Sequence, residues 1–197
     1  MPDAIRVERV FIDTNELFPF TVMDVLLTLS EGRLFDWVWT DELLDEWESV
    51  IVRQKRRDAA SARSITNTVR TWFGTSRLDP TDYRHLITDE LSPDEADRAH
   101  VAACLGGRVN VLLTRNTKDF PQPLLATAGV RIMTADDYLV GLLHRHSRVV
   151  VDACAGLAAT KTRPPVTSCE LTERLHRAGA SRFAARLAAR LDCPPPT

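Results

Sequence analysis

The chain has 197 residues, 44% of them hydrophobic and 26% charged, the makeup of a soluble globular protein of one domain with room for an appendage. No apolar run reaches the ~18 residues that a transmembrane helix needs, and no basic stretch followed by an apolar one marks a signal peptide. The net charge of −2 hides an asymmetry: residues 1–144 carry 16 Lys and Arg against 23 Asp and Glu, and residues 145–197 carry 9 against 4. An acidic body disfavours indiscriminate nucleic-acid binding by the whole surface, while local basic segments remain available for it. The four cysteines, Cys104, Cys154, Cys169 and Cys193, form no Cys-x-x-Cys pair. Neither a zinc site nor a disulfide framework is therefore expected, and a reducing, cytoplasmic setting fits.

Residues 7–13 read as a first strand that ends at Asp13. The pattern from Phe18 to Ser30 is helical, with Val22, Val25, Leu26 and Leu29 on one face and Gly32 as the stop. Leu34 to Trp39 is a short second strand. Thr40 is placed to cap a helix from Asp41 to about Arg57, acidic in its first turn and basic in its last, as the helix dipole favours. Helical character continues through residues 58–77. From Arg53 to Arg77 there are seven basic residues, with Asp58 the one acid among them. Such a run is either a solvated helix face or a positive wall for a phosphate backbone, with Arg53, Arg56 and Arg57 its leading members. Trp72 and Phe73 in this segment are read as core.

Leu78 to Leu91 is irregular. Ser92-Pro93-Asp94-Glu95 predicts a cap, a proline at the first helical position and a capping-box acid for a helix ending near Gly106-Gly107. Val109 to Leu113 is a buried strand, followed by the polar loop Thr114–Asp119 and the pair Phe120-Pro121. A helical turn near residues 123–127, a strand at residues 129–133 and a helix from Thr134 to about His144 complete the body. Strands alternating with helices imply a parallel α/β sheet. Beyond His146 the chain turns Ala-, Leu- and Arg-rich, with helices over residues 148–160 and 168–191. This divides it into a body, residues 1–146, and a helical appendage, residues 147–197.

The acids carry the chemistry. Asp13 directly follows Val10-Phe11-Ile12, and Asp13-Thr14-Asn15 puts polar groups at the carboxyl end of a strand, where open α/β sheets bind ligands. Asp94 and Glu95 open a helix, where acids are routine. At 100° per residue, Asp97 instead shares the inward side with Val101 and Cys104. An inward carboxylate is costly without a cation or fixed donors. Thr114, Asn116 and Asp119 follow the third strand, and Phe120-Pro121 pins their loop to the core. A glutamate of the 41–57 helix completes the set: Glu46 beside the apolar stripe, or Glu42 one turn earlier. Carboxylates without thiols or histidines select hard cations. Mg²⁺ binds through few carboxylates plus a substrate phosphate, so the residues alone point to metal-dependent phosphoryl transfer or phosphodiester hydrolysis.

Taken together, Phe11-Ile12-Asp13-Thr14-Asn15, the helix with Glu46, Asp94-x-x-Asp97-Arg98-Ala99-His100-Val101-Ala102-Ala103 and Thr114-x-Asn116-x-x-Asp119-Phe120-Pro121 resemble PIN-domain ribonucleases. The likeness is to VapC-type toxins of toxin–antitoxin pairs and covers about residues 7–144. It implies a three-layer α/β/α fold, Mg²⁺- or Mn²⁺-dependent endoribonuclease activity on RNA, a cognate antitoxin and frequent homodimers. By position it makes Asp13, Glu46, Asp97 and Asp119 the acidic, metal-binding quartet, with Asn15, Thr114, Asn116 and Asp94 as accessory polar groups. Asn116 departs from the pattern, since many members hold an acid there. The appended helices resemble the tail that some toxins of this branch carry.

Two other readings compete. A haloacid-dehalogenase-like phosphatase also places an Asp after its first strand, but it needs a second Asp two residues on, where this chain has Asn15. A non-catalytic PIN scaffold serving as a binding platform would not need all four acids.

Overall fold

The computed structural model describes residues 7–197, so the reading of the first six residues lies outside it. Four short strands form one parallel sheet: β1 (Arg9–Ile12), β2 (Asp36–Val38), β3 (Val111–Leu113) and β4 (Arg131–Met133), in the order β2-β1-β3-β4. Phe11 pairs with Val38 on one side and with Leu112 on the other. Strand order reverses at β1, so the carboxyl ends of β1 and β3 flank the switch point where such sheets bind ligands. β1 and β3 are apolar runs because both faces are covered, and Val10, Phe11, Ile12, Val111, Leu112 and Leu113 are all inaccessible to solvent.

The expected elements are present with shifted ends. The helix predicted from Phe18 begins two residues later as α2 (Phe20–Glu31), and a short helix, α1 (Thr14–Leu17), precedes it. Pro19 separates them and opens α2 in an extended conformation. Next comes α3 (Asp41–Arg53), capped by Thr40, whose hydroxyl accepts from the Leu43 amide. It ends four residues earlier than expected, where Lys55 takes a positive φ of 53°. Asp58 caps α4 (Ala59–Trp72). The stretch read as irregular holds a helix, α5 (Pro80–Tyr83), and a 3₁₀ turn over Arg84–Leu86. The following helix, α6 (Glu95–Gly106), is capped by Asp94 rather than Ser92, since Asp94 accepts from the Ala96 amide. Gly106 is more than a stop: a Cβ there would lie 2.1 Å from the Asp82 carbonyl oxygen, so α5 and α6 approach closely only with glycine. Then follow α7 (Gln122–Thr127) and α8 (Ala135–Arg145), the latter capped by Thr134. The last three helices are α9 (Ser147–Thr160), α10 (Ser168–Arg177) and α11 (Ser181–Arg190).

These elements form two compact units. One comprises the residues up to Phe18 together with Asp36–Met133, and therefore the whole sheet with α1, α3 to α7 and the polar loops. Trp37, Trp39 and Trp47 are fully buried in it, and Trp39 Nε1 donates to the Phe73 carbonyl at 2.8 Å. Phe73, read as core, is half-buried and packs edge-on to Trp37 with ring centroids 5.1 Å apart. Trp72 departs from that reading and is 75% exposed. The second unit comprises Pro19–Phe35 and Thr134–Thr197. Within it Phe183, Leu187 and Leu175 are buried, and the Asp136 carboxylate accepts from the Arg182 and Phe183 amides at the start of α11. This unit also overturns the expectation of no disulfide: Cys169 and Cys193 form one here, while Cys154 in this unit and Cys104 in the first are free and buried. A pair 24 residues apart leaves no local signature in the sequence.

Candidate active site

Asp13 stands at the first position past β1, and its amide donates to the Leu113 carbonyl at 2.9 Å. Its side chain is 5% exposed and heavily engaged. Oδ2 accepts from Asn15 Nδ2 at 2.6 Å and from the Thr114 hydroxyl at 2.7 Å. The Thr114 oxygen in turn accepts from Asn15 Nδ2 and from the Asn116 amide, each at 3.1 Å, and Asn15 Oδ1 accepts from the Arg115 amide at 3.0 Å. The polar groups after β1 and β3 are thus one network, locked by backbone groups on both loops.

The other carboxylate oxygen is less well served. Asp13 Oδ1 lies 3.2 Å from the Thr14 hydroxyl, but that hydroxyl also lies 2.8 Å from Glu46 Oε1. A hydroxyl has one proton, and the shorter contact takes it. Oδ1 therefore keeps an unsatisfied negative end, as expected of a carboxylate that meets a cation.

Asp13, Thr14, Asn15, Glu46, Asp94, Asp97, Asn116 and Asp119 line one cleft of about 360 Å³. Phe18, Val50, Arg53, Gln54 and Ala96 form the rest of its wall. Asp97 points inward from α6 and is half-buried, on the same side as buried Val101 and Cys104. Its carboxyl is pushed up to about 6, first by loss of hydration and then by the charge of Asp13, with smaller contributions from Asp94 and Glu46 and an opposing one from His100. Asp119 sits in the loop pinned by Phe120, which is 3% exposed. Asp94 lines the cleft while also capping α6.

The geometry separates Glu46 from Glu42. Glu42 accepts from the Tyr83 hydroxyl and pairs with Arg84 at 2.7 Å, and it is not among the lining residues. Of the basic run, Arg53 lines the cleft, and the Arg56 guanidinium lies 5.4 Å above the ring of Phe18, another lining residue. Arg57 donates to the Arg56 carbonyl. Further along, Arg63 pairs with Glu48, Arg70 with Asp45 and Arg77 with Asp41. Of the run read as either a solvated face or a positive wall, Arg63, Arg70 and Arg77 are therefore taken up in ion pairs, and residues 53–57 are exposed.

Two residues were missed by sequence reasoning. Glu16 is 2% exposed and pairs with Arg115 Nε at 3.1 Å, and no pattern in the chain signalled it. His100 is 1% exposed and stands between Glu46, 3.3 Å from Nε2, and Asp13, 3.9 Å from Nδ1. The arithmetic that turned Asp97 inward covers His100 as well, since residues three apart on a helix share a face.

The donor chemistry suits a hard divalent cation: oxygen ligands only, like charges converging on Asp97, and an underserved oxygen on Asp13. Among the described residues no group of three or more His, Cys, Asp or Glu stands ready to hold an ion, so closing the set on a metal requires side-chain movement.

Comparison with known proteins agrees with the fold. Residues 9–118, more than half of the chain, match the model of the PIN domain, and residues 135–196 match that of the VapC50 C-terminal domain. No curated protein and no solved structure matches the chain. The parallel four-stranded sheet with its helices is the three-layer α/β/α arrangement. The chain belongs to the PIN domain family and is a PIN-domain toxin of the VapC type.

Proposed function

We propose that this VapC-type nuclease is an endoribonuclease that uses Mg²⁺ or Mn²⁺ to hydrolyse RNA phosphodiester bonds. The observation that supports this reading is the single cleft into which Asp13, Glu46, Asp97 and Asp119 all project. Asp13, Asp97 and Asp119 would hold the ion, with Glu46 beside them. A bound divalent ion stabilises charge on the phosphoryl group and acidifies the attacking water. Asn116 brings no charge, so the donor set suits one ion, with Asp94 at its edge. Asn15 and Thr114 fix the Asp13 carboxylate, and its Oδ1 keeps the open coordination position. Arg53 at the mouth and Arg56 above Phe18 face the incoming phosphate backbone, and Arg57 extends that positive edge.

The same reading gives the partners: RNA as substrate, a cognate antitoxin protein that blocks the cleft, and a second copy of the chain in a homodimer, all in the cytoplasm. No helix among the described residues is long and apolar enough to cross a membrane.

The test uses the purified full chain and synthetic RNA. Cleavage is expected with added Mg²⁺ or Mn²⁺ and is expected to stop in excess EDTA. Cleavage that persists in EDTA after contaminating nucleases are excluded, or that never occurs with either ion, overturns the proposal.

A further inference from the structure

We infer that His100 is a positioning residue of the acidic site: its buried ring stands between Glu46 and Asp13 and holds the Glu46 carboxylate in place beside Asp13. The inference rests on the metal-dependent reading above.

The ring has little freedom. It is 1% exposed, and the Phe11 ring packs against it with centroids 5.4 Å apart and planes at 51°. Nε2 lies 3.3 Å from Glu46 Oε2. A carboxylate has no proton to give, so in this contact Nε2 is the donor. Nδ1 is buried with no hydrogen-bond partner among the described residues. It faces Asp13 Oδ1 at 3.9 Å, the carboxylate oxygen that its own network serves least. A histidine used only as core normally satisfies both nitrogens, because a buried polar atom without a partner is costly.

The two contacts have a joint consequence. Among the described residues the polar contacts of Glu46 are the Thr14 hydroxyl on Oε1 and His100 on Oε2. Thr14 and His100 also both reach Asp13 Oδ1. Thr14 and His100 therefore both stand between the two carboxylates and both hold Glu46. Groups that orient metal-binding side chains in this way tune affinity without touching the ion.

The experiment compares three variants of the full chain by calorimetric titration of MnCl₂ into metal-free protein and by steady-state RNA cleavage. His100→Gln returns an amide donor at the Nε2 position. His100→Asn moves the donor to the Nδ1 position, towards Asp13. His100→Phe fills the volume with neither. Gln is expected to stay within about threefold of wild type in Mn²⁺ affinity and kcat, while Asn and Phe lose about 10- to 100-fold in both with little change in KM. Phe with wild-type Mn²⁺ affinity, or Gln falling as far as Phe, overturns the inference. If Phe does not fold, the Gln and Asn pair decides, and equal values for the two overturn it. If the wild type binds Mn²⁺ but cleaves no RNA, the proposed activity fails and affinity alone decides on His100. If it binds no Mn²⁺, both fail.

Discussion

Thr114 donates its hydroxyl proton to Asp13 Oδ2 at 2.7 Å across 101 residues of sequence, and its oxygen accepts in turn from Asn15 and from the Asn116 amide. This one fully buried side chain joins the ends of β1 and β3. Thr114→Val keeps the volume and removes the hydroxyl, leaving Asp13 short of a donor and two N–H groups short of an acceptor. The expected loss is about 1–3 kcal/mol in urea denaturation, with cleavage reduced as well. Thr114→Ser should recover most of both. A valine variant as stable as wild type would show that the network relaxes without this hydroxyl.

The basic edge makes a different prediction. Arg53, Lys55, Arg56 and Arg57 are exposed, whereas Arg63, Arg70 and Arg77 are drawn into ion pairs with residues of α3. Replacing Arg53, Arg56 and Arg57 with Ala should weaken RNA binding and flatten its dependence on salt, with Mn²⁺ affinity retained. The matching triple change at Arg63, Arg70 and Arg77 should leave the salt slope near that of wild type and lower stability instead. Equal slopes for the two triple variants would remove residues 53–57 from the substrate path.

Much of this site is legible in the sequence because its signals are local. Asp13 follows an apolar run directly, Thr40 and Thr134 stand one residue ahead of their helices, and Asp97 lies on the arc of Val101 and Cys104. What fails to show is whatever depends on distant partners. Glu42 and Glu46 are equivalent until Tyr83 and Arg84 claim Glu42, and those partners sit in a stretch without periodicity. Ser92 and Asp94 are both good caps, and only the backbone path decides for Asp94. His100 looks like one more polar residue of an amphipathic helix, because nothing near it in sequence announces the two carboxylates it meets.

The Cys169–Cys193 disulfide gives a third prediction. It closes a loop of 24 residues around α10 and α11, and in the chain-entropy view such a link adds about 3 kcal/mol by restricting the unfolded chain. Alkylating the unreduced, denatured protein should therefore label two cysteines, Cys104 and Cys154, and alkylation after reduction should label four. Cys169→Ser with Cys193→Ser should lower the melting temperature by several degrees. Four labels without reduction would show that the pair is open in solution.

Asp97 sets stability against function. Its carboxyl ionises at about 6 in the fold, raised from the ordinary value of 3.8 by lost hydration and by the neighbouring charge of Asp13. A raised acid pKa means that the folded state holds a proton the unfolded chain has already released. The fold is thus favoured below the folded value and penalised as pH climbs through it. In the absence of metal the penalty is complete above about pH 6, shrinks between 6 and 3.8, and vanishes below the unfolded value. Asp97→Asn is nearly isosteric and removes the charge. At pH 7 in EDTA the variant should therefore be more stable than wild type by about 1–2 kcal/mol, a value reduced for the solvent screening of a half-buried group. The gain should fade towards pH 4. Cleavage should be lost at every pH, because the proposed ligand set has lost a member. Mg²⁺ should raise the melting temperature of the wild type more than that of the variant, since a ligand stabilises the state it binds. Thermal melts across pH 4–8, with and without Mg²⁺, read all of these effects. A variant that melts below wild type in EDTA at pH 7 would show instead that Asp97 is held by hydrogen bonds its amide cannot replace, and the metal reading would lose its central carboxylate.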